Sequence, residues 1–124
     1  MRWIVDGMNV IGSRPDGWWR DRGGALAALV ERLEEWAADE GADVTVVFEQ
    51  PPSPAIESST ITVAHAPAPA PNSADDEIVR LVQADPDPAQ IRVATSDRAL
   101  AERVRAAGAS AYPAERLRNL IDPR

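Results

Sequence analysis

Short apolar runs alternate along this chain with longer stretches of helical period. Trp3-Ile4-Val5 is uninterrupted and is closed at once by Asp6-Gly7-Met8-Asn9. Such a run reads as a strand buried on both faces, ending in a turn that exposes acid and amide side chains. The segment from Ile11 to Gly24 reads as a loop, with Arg14-Pro15-Asp16-Gly17 as its turn signature. From Ala25 the period changes: Leu26, Leu29, Val30, Leu33, Trp36 and Ala37 recur at helical spacing, and Gly41 ends the helix. Val44–Phe48 is a β-branched second strand that runs into Glu49, after which Pro51, Pro52 and Pro54 exclude regular structure. Ile61–Ala64 reads as a short edge strand, and Ala66–Pro71 as an extended connection.

A second helix starts at Asn72 or Ser73, with Ser73 and Asp76 as a capping pair, and stops at Asp85-Pro86. Ile91–Ala94 is a fourth strand running into Thr95-Ser96-Asp97. Leu100, Val104 and Ala107 mark a third helix stopped by Gly108, Ala109–Tyr112 a fifth strand, and Leu117, Leu120 and Ile121 a last helical turn or two. Strands alternating with helices predict a single α/β domain over residues 1–124, with a parallel sheet covered on both faces.

Composition narrows the chemistry. With no cysteine and His65 as the sole histidine, thiolate and multi-histidine metal sites are excluded, so a metal would sit on oxygen ligands, as magnesium or manganese do. The apolar runs are too short to span a bilayer and no signal pattern is present, which predicts a cytoplasmic protein. The formal net charge is −7, and that argues against a broad electrostatic grip on nucleic acid. No G-x-G-x-x-G or Walker motif is present, which counts against a nucleotide-binding enzyme of another α/β type.

Ligands of parallel sheets collect at the carboxyl ends of the strands. Asp6 and Asp97 follow strands one and four, and Asp75-Asp76-Glu77 opens a helix after the long connection. If these converge, a divalent cation would relieve their repulsion and suit in-line attack on a phosphodiester. Asn9 and either Ser96 or Thr95 are candidates for orienting water, phosphate or an acid. The plain alternative is capping: Asp97 suits the start of the third helix, and the 75–77 acids suit the second helix through its dipole. Trp18 and Trp19, flanked by Arg14, Arg20 and Arg22, and Arg98 beside the last acid, are candidates for stacking bases and holding phosphates; a tryptophan pinning the loop to the domain is the alternative.

Taken together, Asp6-Gly7-Met8-Asn9-Val10-Ile11, Ala74-Asp75-Asp76-Glu77-Ile78 and Ala94-Thr95-Ser96-Asp97-Arg98 resemble the NYN domain, and within it the YacP-like branch of the PIN-like nuclease superfamily. The resemblance covers nearly the whole chain. It implies an α/β/α sandwich with strand order 3-2-1-4-5 and a ribonuclease dependent on Mg2+ or Mn2+, an endoribonuclease cutting single-stranded RNA. It carries the family's first acid onto Asp6, its asparagine onto Asn9, its mid-chain acid onto Asp75 or Asp76, and its last onto Asp97. Metal ligands are thereby expected at Asp6, Asp75, Asp76 and Asp97, with Asn9 and Ser96 assisting. Ribosome-associated messenger RNA is the partner that some relatives suggest. A non-catalytic RNA- or ribosome-binding module is the rival reading, motivated by the acidic charge. Met8 stands where an aromatic is common in the family, and Glu49-Gln50 where the branch often has Asp and a small residue.

Overall fold

The computed structural model describes residues 1–123. Five strands form one parallel sheet in the order β3-β2-β1-β4-β5, with β1 at Arg2–Asp6, β2 at Asp43–Phe48, β3 at Thr62–His65, β4 at Ile91–Ala94 and β5 at Ser110–Tyr112. The order is the one implied by the resemblance. β1 lies at the centre because both of its edges are paired: Val5 stands opposite Val46 of β2 and Ala94 of β4.

Successive side chains of a strand point to opposite faces, so each strand feeds two cores. Trp3 and Val5 join a core built with α1 (Gly7–Ile11), α2 (Arg22–Glu40) and α5 (Ala114–Ile121). Ile4 belongs to the other core, with Ile78, Val79 and Val82 of α3 (Ser73–Ala84) and Leu100 and Val104 of α4 (Arg98–Ala106). No helix among the described residues is long and apolar enough to cross a membrane.

The first fifteen residues after β1 depart most from the expected loop. Helix α1 begins directly after Asp6, a 3-10 turn covers Trp18–Arg20, and α2 starts at Arg22, with the Asp21 carboxylate accepting from the Gly24 N–H. Too few apolar positions repeat in so short a helix for periodicity to reveal it. The segment is tied down by charge. Arg118 of α5 donates to the carbonyls of Val10 and Ile11 and to Asp16, filling the acceptors that α1 leaves open at its end. At the start of α3, Asn72 takes φ 63° and makes no side-chain cap, while Ser73 donates to the Glu49 carbonyl, so the expected Ser73–Asp76 capping pair does not form.

Candidate active site

Strand parity places the first acid. Asp6 continues the parity of Ile4, so it faces the side covered by α3 and α4. Thr95 continues the parity of Ile91 and Val93 and faces the same side. Because β1 and β4 are neighbours, the two meet: the Thr95 hydroxyl donates to Asp6 Oδ2 at 2.9 Å. Thr95 Oγ1 also accepts the Asp97 N–H at 3.1 Å, and Asp97 Oδ1 accepts the Leu100 N–H at 3.0 Å, capping α4. Asp75 enters from the first turn of α3.

Asp6 is 7% exposed, which corrects the expectation of an acid turned out to solvent. Burial raises its carboxyl from the ordinary 3.8 to about 6. The Thr95 hydroxyl and the Asn9 backbone N–H pull against that rise, and the charges of Asp75 and Asp97 add to it. Asp75 is raised too, first by burial and then by Asp97, with Arg103 opposing and Asp76 and Glu49 adding. Asp6, Asp75 and Asp97 therefore sit within electrostatic reach of one another, and Glu49 within reach of Asp75.

The donors are all carboxylate oxygens, the set a hard divalent cation takes, and a partly dehydrated acid such as Asp6 gains most from one. Among the described residues, no three acids or histidines are placed closely enough to enclose an ion.

The other expected site residues divide. Asp76 turns outward, 75% exposed at its side chain, and pairs with Arg103 at 3.0 Å. The Asn9 side-chain oxygen accepts the Ser96 N–H at 2.8 Å, which locks the loop after β4 to α1. Ser96 is not aimed at the acids: its hydroxyl donates to Glu115 at 2.7 Å and accepts the Ala114 N–H at 2.9 Å, so it serves the start of α5. Arg14 is likewise taken up elsewhere, donating to Asn119 and to the Asp122 carbonyl and pairing with the Asp122 carboxylate at 3.3 Å. Trp18 packs against the core, whereas Trp19 is 53% exposed. Arg20 lies over the Trp19 ring and Arg22 over the Trp18 ring, and Arg20, Arg22 and Arg98 are all exposed.

Sequence reasoning passed over Arg103, which reads as one more solvated helix arginine; only the packing of α4 beside α3 brings it to Asp75 and Asp76. Parity alone could have separated Thr95 from Ser96. Thr95→Val should cost about 1–3 kcal/mol, since the Asp97 N–H loses its acceptor and Asp6 its hydroxyl donor. Because that hydroxyl holds the Asp6 carboxyl down, its loss should raise that carboxyl further. Urea denaturation and a pH series on the purified variant check both.

The family profile for the YacP-like NYN domain matches residues 3–123. The fold is similar to a crystal structure of Rae1 (YacP) from Bacillus subtilis, with 26% identity and a TM-score of 0.82 over 99% of this chain and 74% of that one. A crystal structure of a single-site mutant of the same protein gives 26% identity and a TM-score of 0.79 over 99% of this chain and 75% of that one. No curated protein sequence matches the chain.

Proposed function

The chain belongs to the YacP-like NYN domain family, with a PIN-like nuclease fold, and from that footing we propose that it is a metal-dependent endoribonuclease acting on single-stranded RNA. The observation that carries the reading is the placement of Asp6 at the end of β1, Asp97 just after β4 and Asp75 in the first turn of α3, with Thr95 joining Asp6 and Asp97 through hydrogen bonds of 2.9 and 3.1 Å and with Asp6 buried, its carboxyl raised to about 6. Magnesium or manganese held there by Asp6 with Asp75 or Asp97 would, when bound, supply an activated water and offset charge on the phosphate.

The chain's own residues do the rest. The Thr95 hydroxyl holds the Asp6 carboxylate in one orientation. Asp97 is positioned by its N–H, which donates to Thr95, and by its carboxylate, which accepts the Leu100 N–H at the start of α4. The Asn9–Ser96 bond keeps the loop after β4 at one distance from α1. Arg103 steadies Asp76 and Asp75 from the side. Exposed Trp19 with Arg20 and Arg22 offers a stacking and phosphate-holding surface for a single strand.

The test is cleavage of end-labelled single-stranded RNAs with Mg2+, Mn2+ or chelator, comparing wild type with Asp75→Asn. Asp75 lies at a helix start and is half-buried, so the variant should fold normally. Its kcat/KM should fall by about a hundredfold or more. Equal cleavage by the two proteins, or cleavage indifferent to chelator, would overturn the assignment. The net charge of −7 keeps a second reading in view, in which the chain binds RNA on a ribosome without cutting it. Tight binding with no turnover at any metal concentration would select it.

A further inference from the structure

Beside the acids lies a second feature that the cleavage chemistry does not use. Phe48 at the end of β2, with Met8, Leu26 and Ile56, floors a pocket of about 240 Å³. Phe48 is fully buried and the other three are half-buried, whereas Arg22, Glu49 and Gln50 at the mouth are exposed. One wall is the run from Pro51 to Pro54, whose proline rings restrict the backbone, so the pocket needs little ordering when filled.

We propose that this pocket takes one nucleobase of the bound RNA, next to the phosphate held by the acids, and prefers a base with an exocyclic amino group over uracil. This rests on the ribonuclease reading above and names the substrate feature that the same site selects. Three observations carry it. The pocket lies near the acids: Met8 lies on α1 between Asp6 and Asn9, and the carbonyl of Glu49, which lines the pocket, accepts from Ser73 at 3.4 Å, two residues before Asp75. Its size is below the roughly 300–1,000 Å³ of pockets that enclose drug-sized ligands, which suits a flat base rather than a whole nucleotide. Its mouth holds an acceptor carboxylate and a side-chain amide, the groups that pair with amino-bearing base edges, and Arg22 for a neighbouring phosphate.

The experiment has two arms on the full chain. In the first, methyl NMR of Met8, Leu26 and Ile56 follows titration with AMP, CMP and UMP. Shifts at these methyls with AMP and CMP, at roughly tenfold lower concentration than UMP, are expected. In the second, RNAs of only A, only C or only U are cut by wild type, Gln50→Ala and Gly23→Phe. A Cβ on Gly23 would make only ordinary contact, 3.7 Å from the Ser53 carbonyl, so the added ring can lie in the pocket mouth without breaking the fold. Both variants should bring the A and C substrates down to the rate of the U substrate. Absent methyl shifts, or equal response to all three nucleotides, overturns the proposal. So does unchanged preference in Gly23→Phe, and in that case cleavage itself leaves the ribonuclease reading standing. Methyl shifts without any RNA cleavage support the pocket while removing the nuclease.

Discussion

Asp6→Asn should give a protein that is more stable than wild type above pH 6 and that has lost its cleavage activity. The side chain keeps its shape, so Thr95 retains an oxygen to donate to. What disappears is a charge held in a nearly dry site beside Asp75 and Asp97. A folded-state carboxyl near 6 against an unfolded one near 3.8 means that the folded protein binds the extra proton between those values. Stability of the wild type therefore falls as pH rises from 3.8 to about 6, and above that it carries the full cost of about 3 kcal/mol. The variant escapes this cost, so the two proteins should be equally stable below about pH 3.8 and diverge through the window up to 6. Thermal melts in chelator across pH 3.5 to 8 measure it. Mg2+ should narrow the gap by raising the melting temperature of wild type and not that of the variant. Activity should fall by about a thousandfold, the scale of losing a carboxylate that orders a catalytic cation. Stability given up at a working site is the expected direction of trade. A variant that is less stable than wild type at pH 7, or that cuts RNA normally, would refute the account of Asp6.

Gly7→Ala should be among the most destabilising single substitutions in the chain, although it adds one methyl group. A Cβ at Gly7 would overlap the Phe48 ring, lying 2.7 Å from Cδ1, and would approach the Val47 carbonyl oxygen to 3.1 Å. The ring is fully buried, and the carbonyl is part of the sheet. Overpacking of this kind costs about 3 kcal/mol. Gly7 lies between Asp6 and the helix that carries Asn9, so displacement there also disturbs the acid, and cleavage should fall with stability. Two controls isolate the cause. Gly23→Ala, where a Cβ makes only ordinary contact, should change stability by less than about 0.5 kcal/mol. Phe48→Leu combined with Gly7→Ala should recover about 1 kcal/mol or more relative to additivity, because the shorter side chain removes the overlap. Chemical denaturation of the four proteins gives the cycle; strict additivity would show that the ring is not the obstacle.

The alternation of apolar runs was enough to read five strands, the major helices and a parallel sheet, because burial on two faces imposes itself on every strand residue. The same regularity accounts for Asp6, Asp75 and Asp97 as candidates, each standing where an element begins or ends. The strand order 3-2-1-4-5 follows from the YacP-like resemblance, not from periodicity. The short helix after Asp6 was not legible, since its anchors are Arg118 and the Phe48 ring, which are distant in the chain.

What three dimensions settled was the direction of individual side chains. Asp76 and Asp75 are adjacent in the chain, yet one pairs with Arg103 in solvent and the other turns toward the acids. Thr95 and Ser96 differ by one position, and the first serves Asp6 while the second serves α5. Arg14 sits in a run of arginines and aromatics that reads as an RNA-facing loop, but the Asp122 carboxylate takes it. Periodicity acts along one element and says which face a residue occupies. Charge pairs and hydrogen bonds form between elements, and their geometry exists only once the helices have docked.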